Sequence, residues 1–423
     1  MSVKNFIEPK SIVIVGASRD VDSVGGVLVK NLKKSGVKLF LINPFAKKIQ
    51  GIKCYPSVLD FNKKVDLAII ATPGKLVPRI IKELGDIRVH NAIIISSGFS
   101  EEGNIELEKE LISTAKSSGV RFIGPNCLGV ITPSINMSFY EGDIPFGNIS
   151  MISQSGALGV GVLDYMKSIG VGVNCFISLG NMKDIDFSDF FVHFNNDVHS
   201  KVLSFYMEGL NQGFRFVKSR IFYKKPVIVL KSARTPVSGK TALSHTGSLS
   251  KDYSVFKGVF KQHNIFLAED LDDFLSSSIA ASEQVIPLNK KVFIVTNAGG
   301  LGVLSVDKVV EEGLELYSSP NLNNPLDLLG DANNDSYKDA FKKLRRLKGV
   351  GAFLVILTPQ AMSEPLKVSR EIVLFSEKVN VPVYASFFGG KSVSTAISYL
   401  VQNNIPVFFE PMQAIQTIKD LSP

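Results

Sequence analysis

The sequence predicts an α/β fold made of three successive domains, each a parallel sheet with helices. Short apolar segments rich in Val, Ile and Leu recur along the 423 residues, and each ends in Gly, Asn or Ser before a segment with helical periodicity. Strands that alternate with helices in this way form parallel, doubly wound sheets. Two segments of linker composition, 131–148 and 284–291, divide the chain. We therefore expect domains over 1–131, 146–283 and 290–423.

The first domain is predicted to be Rossmann-like. Its first strand, SIVIVGAS (11–18), ends in a glycine turn, and a helix is expected from about Val24 to Lys34. The same pattern recurs at 38–43, 66–72, 91–98 and 120–130. The glycine turn is not G-x-G-x-x-G, and the second strand ends in Asn43-Pro44 where an NAD-binding domain would carry an acidic residue. A nucleotide-like anion is therefore favoured over NAD. Lys47 and Lys48 suit a phosphorylated ribose, and the alternative is that they have no particular role.

The second and third domains are predicted to repeat one architecture, in which a strand leads through a small-residue turn into a helix. In the second, strands are expected at 148–153, 174–181, 201–210 and 224–230, with a helix from about Ala157 to Ser168. In the third, strands are expected within 292–302, 351–360, 381–390 and 405–410.

Composition narrows the class of protein. The formal charge is +8, but the Lys and Arg residues are dispersed, which is typical of a solvated surface and not of nucleic-acid binding. Apolar runs are too short to cross a bilayer, and the N-terminus lacks the apolar core of a signal peptide. Cys54, Cys127 and Cys175 show no spacing typical of metal sites or disulfides. We expect a cytoplasmic protein with no metal site of its own and no membrane or nucleic-acid partner.

The loop 238–249, SGKTALSHTGSL, is the strongest candidate for chemistry. It follows the strand 224–230 and precedes a helical segment, so His245 is expected at the sheet edge where open α/β folds bind ligands. The surrounding Ser, Thr and Gly residues offer hydroxyl and backbone N–H groups to an anion. A surface histidine in a polar turn is the alternative interpretation.

Three further motifs are candidates for the same site. SQSGAL (153–158) and TNAGGLG (296–302) each precede a helix, whose N-terminal N–H groups attract phosphate; ordinary N-capping is the alternative. Glu208 ends a strand and is expected to accept a hydrogen bond from the ring of His245, which would orient the ring; a solvated charge is the alternative.

The chain resembles the α subunit of ADP-forming (NDP-forming) acyl-CoA synthetases, which are relatives of succinyl-CoA synthetase. The stretches that carry the resemblance run in family order through nearly the whole chain: PKSIVIVGASRD, INPFAKKIQGIKCYPS, GPNCLGVI, MISQSGALG, ISLGNMKDIDFSDF, YMEG, KPVIVLKSARTPVSGKTALSHTG, VTNAGGLGVLSVD, NPLDLLGDA and ILTPQAM. The family usually has SHTGALAGSD and a proline after the third-domain glycines, so SHTGSLSKD and NAGGLG depart from its pattern beside the expected phosphate site.

The resemblance implies flavodoxin-like second and third domains and a role for particular residues. It makes His245 the phosphorylated residue and Glu208 its supporting carboxylate. The implied CoA-binding residues, all in the first domain, are Gly16, Ala17, Ser18, Arg19, Asn43, Pro44, Lys47, Thr72, Pro73, Ser97, Gly98, Asn126 and Cys127. The implied phosphate-binding residues are Ser153, Gln154, Ser155 and Gly156 at one helix end and Asn297, Ala298, Gly299 and Gly300 at the other.

The implied reaction converts acyl-CoA, ADP and phosphate into an acid, CoA and ATP through an acyl phosphate and a phosphohistidine. The sequence contains no G-x-x-x-x-G-K-[ST] motif, and the family places its ATP-grasp domain, with most of the ATP/ADP and Mg²⁺ binding, on a β subunit, typically in an α2β2 assembly. The loop 233–249 is expected to swing between two sites. A non-catalytic CoA-binding regulatory protein and an NAD-dependent oxidoreductase remain as alternatives. The acid is left open among acetate, branched-chain or aryl acids and succinate.

Overall fold

The computed structural model describes residues 3–61, 63–235, 237–238 and 253–423. The chain divides into two compact units, Met1–Ser168 with Gly172–His263 and Ile169–Val171 with Asn264–Pro423. Two sheets lie in the first unit and one in the second, and most of their strand pairs are parallel. The α/β fold that the sequence predicts is therefore confirmed. His245 falls outside the described residues, together with the rest of 239–252.

The first sheet is a doubly wound parallel sheet. Its strands are β1 (Ser11–Val15), β2 (Lys38–Ile42), β3 (Lys48–Ile49), β4 (Ile52–Tyr55), β5 (Leu67–Ile70), β6 (Asn91–Ile94) and β7 (Arg121–Ile123). Its helices are α1 (Lys4–Ile7), α2 (Val24–Lys33), α3 (Val58–Phe61), α4 (Val77–Asp86) and α5 (Ile105–Ser118). The order β3-β4-β2-β1-β5-β6-β7 places β1 at the centre, and the chain winds outward from it in both directions. Ligands bind at such a change of direction, beyond the carboxyl ends of β1 and β5.

Burial explains why these segments become central strands. All four residues of β5 are buried, and so are the last four of β1, because helices cover both faces of a parallel sheet. Val13, Ala68 and Ile94 pack with Leu84 and Leu111 of the covering helices in one apolar core. Helix α2 begins at Val24 as predicted and ends at Lys33, one residue earlier than expected.

The second sheet of the first unit combines parallel strands with an antiparallel hairpin. Within the first unit its strands are β8 (Gly129–Ile131), β9 (Asn136–Ser138), β10 (Phe146–Ser153), β11 (Val173–Ser178), β12 (Val202–Met207) and β13 (Val227–Lys231), in the order β13-β12-β10-β11-β8-β9. Its helices are α6 (Gly156–Ser168), α7 (Phe190–Asn196), α8 (Gly213–Ile221) and α9 (Tyr253–Gln262). Segment 131–148, whose composition predicts a linker, thus contains β9 and the start of β10. Strand β8 pairs antiparallel with β11, although its residues directly follow the first sheet.

The second unit is built around the third sheet. Strand β14 (Phe266–Ala268) lies in this unit but outside that sheet. The strands of the third sheet are β15 (Lys291–Thr296), β16 (Glu315–Leu316), β17 (Leu326–Asp327), β18 (Ala352–Leu357), β19 (Val383–Phe387) and β20 (Val407–Phe408), and β15, β18 and β19 form its centre. Its helices are α10 (Leu271–Glu283), α11 (Gly299–Glu311), α12 (Asn334–Leu344), α13 (Pro365–Ser376), α14 (Ser394–Gln402) and α15 (Pro411–Leu421). The segment 405–410, expected to be a strand, is extended only at Val407 and Phe408.

A bilayer-spanning helix is absent from the described ranges, in which every helix is too short or too polar. The same ranges contain no group of three or more His, Cys, Asp or Glu side chains arranged to hold a metal ion.

Candidate active site

The turn after β1 brings backbone atoms close to the end of β5. Gly16 has a φ of +97°, and a Cβ atom there would lie 2.3 Å from the carbonyl oxygen of Ala71. Only glycine tolerates both conditions without strain. Helix α2 starts a few residues later, and the hydroxyl of Ser23 caps it by accepting from the N–H of Gly26 at 3.2 Å. The turn therefore places a helix N-terminus at the edge where an anion would bind.

Asn43 ties the turn after β1 to the turn after β2. Its Nδ2 donates to the carbonyl oxygen of Ala17 at 2.7 Å, and its Oδ1 accepts from the N–H of Phe45 at 2.7 Å. Arg19 donates from its guanidinium to the carbonyl oxygen of Phe45 at 2.6 Å. Through these three contacts, the predicted CoA-binding residues Asn43 and Arg19 fix the two turns at the carboxyl ends of β1 and β2.

Several of the remaining predicted CoA-binding residues lie at the same edge. Ser18 is half-buried beside the turn, Pro44 and Lys47 are exposed after β2, and Pro73 is exposed after β5. The Oγ1 of Thr72 is buried and has no hydrogen-bond partner within the described ranges, while its N–H donates to the hydroxyl of Ser96 at 3.2 Å. A buried hydroxyl without a partner is a group that a ligand could satisfy.

The GPNC turn (124–127) follows β7. Asn126 is exposed, has a φ of 57° and is held by a 2.9 Å bond from its N–H to the carbonyl oxygen of Ser96. Cys127 is 4% exposed, and its Sγ lies 3.3 Å from the carbonyl oxygen of Ile94. Burial raises the pKa of the Cys127 thiol to about 12, so it stays protonated and is not a nucleophile.

Two serine hydroxyls shape the N-terminus of α6. Ser153 Oγ accepts from the N–H of Ser155 at 3.1 Å and donates to the carbonyl oxygen of Ser155 at 2.6 Å. Ser155 Oγ accepts from the N–H of Leu158 at 3.3 Å and so caps the first turn. The other N–H groups of a first helical turn have no partner within the helix, and Gly156 begins this turn without a side chain to cover them.

Gln154 links that helix end to Glu208. Its side chain is 7% exposed, and its Oε1 accepts from the N–H of Glu208 at 2.6 Å and from the N–H of Gly209 at 3.0 Å. Gln154 was predicted to bind phosphate, but its amide oxygen is occupied in holding the turn after β12. The carboxylate of Glu208 is half-buried beside the α6 N-terminus as a result.

A cavity of about 560 Å³ in the first unit brings these groups together. Its walls combine predicted CoA-binding residues, the α6 N-terminus, Glu208, two residues of the turn after β11 and several apolar side chains. The lining residues are Val24, Ile95, Ser97, Asn126, Cys127, Leu128, Phe139, Gln154, Ser155, Gly156, Ala157, Val160, Gly180, Asn181 and Glu208. The residues of the turns after β1, β2 and β5 are not part of this wall. The cavity thus joins the GPNC turn to the expected phosphate site.

The NAGG turn in the second unit repeats the design of the SQSG turn. Thr296 Oγ1 accepts from the N–H of Ala298 at 2.9 Å and donates to its carbonyl oxygen at 3.1 Å, as Ser153 does with Ser155. Asn297 is 1% exposed, and its Oδ1 accepts from the N–H of Thr358 at 2.9 Å while its Nδ2 donates to the carbonyl oxygen of Thr358 at 2.9 Å. Helix α11 begins at Gly299, followed by Gly300. Asn297 therefore braces β15 against β18, as Gln154 braces β10 against β12.

Lys231 is a buried cation next to Glu208 that the sequence analysis missed. It is 1% exposed, its Nζ donates to the carbonyl oxygens of Glu208 (2.8 Å) and Ser232, and it lies 5.1 Å from the centre of the Phe256 ring. Burial lowers the pKa of Lys231 to about 8, against the opposing attraction of Glu208. In the sequence it belongs to the basic stretch KSAR, which is typical of an exposed loop.

The free energy of unfolding should depend on pH in a way that reveals the buried Lys231. Between pH 8 and 10.5 the folded chain releases the Lys231 proton while the unfolded chain keeps it, so the unfolded state binds more protons and the free energy of unfolding rises with pH. Lys231→Met removes this contribution. In denaturant titrations at pH 7.5 and 9.5, we expect wild type to gain stability relative to the variant at the higher pH; a constant difference would contradict the assignment.

The chain is similar in sequence to known families and proteins. Residues 10–133 match the family described as CoA binding domain, and residues 146–280 match the family described as Succinyl-CoA ligase like flavodoxin domain. The chain is 39% identical to the acetate–CoA ligase [ADP-forming] of Methanocaldococcus jannaschii over 99% of this chain, and it spans 63% of the length of that relative. It is 34% identical to the alpha subunit of acetate–CoA ligase [ADP-forming] I of Pyrococcus furiosus, with 100% of this chain and 97% of that subunit covered.

A solved structure shows the same fold over nearly the whole chain. The dinucleotide forming acetyl-coenzyme A synthetase 1 of Ca. Korarchaeum cryptofilum, in complex with phosphate and ADP, matches with a TM-score of 0.93 at 33% identity, over 99% of this chain and 96% of that one. PH0766 from Pyrococcus horikoshii matches with a TM-score of 0.86 at 30% identity, over 99% of this chain and 98% of that one.

Proposed function

The chain belongs to the family of ADP-forming acyl-CoA synthetase α subunits, and on that premise we propose that it interconverts acyl-CoA, ADP and phosphate with an acid, CoA and ATP. The cavity carries the proposal, because it places the GPNC turn of the first sheet beside the α6 N-terminus and Glu208 of the second. A thioester and a phosphate could meet there.

The proposed chemistry has three steps. A phosphate oxygen attacks the thioester carbonyl, a C–O bond forms, the C–S bond breaks, and CoA leaves as its thiolate and takes up a proton. A ring nitrogen of His245 then attacks the phosphorus of the acyl phosphate, an N–P bond forms, and the acid leaves as a carboxylate. Finally the phosphoryl group passes to ADP to give ATP. Phosphoryl transfer depends on positioning and charge stabilisation, which the N-terminus of α6 supports.

CoA is the ligand that we propose for the first sheet. The close backbone approach at Gly16 and the buried, unsatisfied Oγ1 of Thr72 fit a ligand at the carboxyl ends of β1 and β5. Lys47, exposed at the same edge, suits the 3′-phosphate of CoA. The turn after β2 carries Asn43 where NAD-binding domains carry an acid, which favours CoA over NAD.

Glu208 is the residue that we propose to orient His245. A carboxylate that accepts from one ring nitrogen leaves the other free to attack and stabilises the ring when it becomes positive. Two N–H groups at Glu208 and Gly209, both bound by Gln154, set the position of that carboxylate. The assignment of Asn297, Ala298, Gly299 and Gly300 to phosphate binding, which the family resemblance implies, stays a prediction.

ADP and Mg²⁺ are proposed to bind mainly to an ATP-grasp β subunit in an α2β2 assembly. The loop 233–249 would then carry phosphohistidine from the site of acyl phosphate cleavage to that subunit. We place the reaction in the cytoplasm, where the three buried free cysteines would stay reduced.

Radioactive phosphate tests the proposal. The chain, copurified with its co-encoded partner, is incubated with [³²P]phosphate and a panel of acyl-CoA esters, and the label is mapped by peptide analysis. We expect an acid-labile, base-stable label on His245, which ADP and Mg²⁺ convert to [³²P]ATP, and the acyl panel identifies the acid. An unlabelled protein with every ester would refute the catalytic proposal and leave CoA binding alone.

A further inference from the structure

The turn after β11 is pressed against the GPNC turn. Gly180 has a φ of +54°, and a Cβ atom there would lie 2.2 Å from the carbonyl oxygen of Pro125 and 2.4 Å from that of Asn126. The N–H of Asn181 donates to the carbonyl oxygen of Pro125 at 2.9 Å. The motif SLGN of the second sheet therefore fixes the place of Asn181 at the cavity wall, beside residues of the first sheet.

The surroundings of Asn181 determine which way its amide group points. Its Nδ2 lies 2.6 Å from Oε2 of Glu101 and 3.1 Å from Oε2 of Glu108. Ionised carboxylates only accept hydrogen bonds, so the NH₂ group must face them. The Oδ1 atom faces the opposite side, where it accepts a hydrogen bond of 3.4 Å from Nδ2 of Asn126, and an amide oxygen has a second lone pair that can accept from a ligand.

Both carboxylates are themselves held in place, so this orientation is firm. Glu101 Oε1 accepts from the N–H of Gly98 at 2.8 Å. Glu108 is 5% exposed, pairs with Lys183 at 2.9 Å and accepts from the hydroxyl of Ser100 at 2.7 Å. Asn181 is 4% exposed. The cavity therefore presents an acceptor oxygen at the GPNC turn and helical N–H donors at α6.

We propose that the Oδ1 atom of Asn181 is a fixed hydrogen-bond acceptor that positions CoA through an amide N–H of its pantetheine arm. This rests on the proposed function, since it takes CoA as the ligand. A phosphate oxygen is an acceptor and is repelled at this point, whereas an amide N–H donates well and a thiol only weakly. Asn181 would thus favour CoA over phosphate at the GPNC turn of the cavity. It is a positioning residue and takes no part in forming or breaking covalent bonds.

Binding measurements on Asn181→Ala test the proposal. We expect the dissociation constant of CoA, measured by calorimetry, to rise about tenfold, as for loss of one buried hydrogen bond. The affinity for adenosine 3′,5′-bisphosphate, which lacks the pantetheine arm, should stay the same. In the assay with the partner subunit, KM for CoA should rise about tenfold while kcat changes less than threefold.

Two further variants keep the test independent of folding. Asn181→Ser retains a hydroxyl donor toward the carboxylates but withdraws the acceptor from the cavity, so it should show the same selective loss. Asn174→Ala is the matched control, because Asn174 donates to Asp197 at 2.7 Å and is not part of the cavity wall, so it should leave CoA affinity unchanged. Equal losses for both nucleotides, or unchanged CoA affinity in the two Asn181 variants, would overturn the proposal.

Phosphorylation of His245 by ATP and the partner subunit separates this inference from the proposed function. That step does not use CoA, so it should proceed normally in Asn181→Ala. A wild-type protein that binds CoA but forms no phosphohistidine would overturn the proposed catalysis, and the CoA affinities would still decide the role of Asn181. A wild-type protein that binds no CoA would overturn both.

Discussion

Replacing His245 with alanine is expected to abolish ATP formation, with a loss of about 10⁴-fold or more, as for removal of a nucleophile. The ring nitrogen is the only group proposed to carry the phosphoryl group from acyl phosphate to ADP. Attack of phosphate on the thioester does not involve that nitrogen, so the variant should still release CoA from acyl-CoA and form acyl phosphate. The measurement is ³²P incorporation, ATP yield and CoA release in the assembled enzyme.

His199→Ala is the matched control. His199 is an exposed residue whose ring packs edge-on against Phe146, away from the cavity wall. It should incorporate phosphate and make ATP like wild type. A His245→Ala enzyme that still makes ATP, or that retains an acid-labile label, would refute the phosphohistidine at this position.

Gln154→Leu is expected to lower both the rate of His245 phosphorylation and the stability of the chain. The N–H groups of Glu208 and Gly209 would lose their shared acceptor inside the protein, at a cost of about 2 kcal/mol in the free energy of unfolding. Release of that turn would move the Glu208 carboxylate, and a shift of about 1 Å in a supporting group can slow catalysis about 10²-fold. Denaturant titration and single-turnover labelling measure the two effects.

One variant distinguishes displacement of Glu208 from general destabilisation. Tyr337→Phe removes a buried hydroxyl that donates to the carbonyl oxygen of Ile356 at 2.9 Å in the second unit, so it should cost similar stability and leave the labelling rate unchanged. If Gln154→Leu phosphorylates at the wild-type rate, Gln154 does not position Glu208.

The central strands could be predicted from sequence because local pattern and burial agree there. Strands β1, β5 and β18 are apolar runs that end in small or polar residues, and each is covered on both faces. Strands β8 and β9 could not be predicted, because their sheet is chosen by pairing with β11, over 40 residues further along the chain. The Pro and Gly residues around them are typical of linkers, and only the tertiary contact reveals the hairpin.

The location of the candidate site could be predicted from the sequence, but the role of each side chain could not. The sequence places SQSG and NAGG at helix N-termini, and the structure confirms that α6 and α11 begin there. Whether an amide at such a turn binds a ligand or braces a neighbouring strand depends on residues far away in sequence. Gln154 and Asn297 both brace, since their partners are Glu208 and Thr358.

Asn181 and Lys231 were missed for the same reason. Asn181 stands in the motif SLGN, but its function depends on carboxylates at Glu101 and Glu108, which lie 80 and 73 residues earlier. Lys231 contacts Glu208, which is 23 residues earlier, through a main-chain oxygen that no side-chain pattern reveals. A lysine that directly follows a buried apolar run was the one local signal.

The hairpin of β8 and β9 affects the order in which parts of this protein can fold during translation. The first sheet is complete when β7 leaves the ribosome at Ile123, but the hairpin of β8 and β9 has no sheet to join until Phe176 and Ile177 of β11 have emerged. At about 5–20 residues per second, translation of the intervening ~50 residues takes several seconds. The GPNC turn also waits for Gly180 to pack against it. A nascent chain thus completes its first sheet before it can complete the pocket that the sheet helps to form.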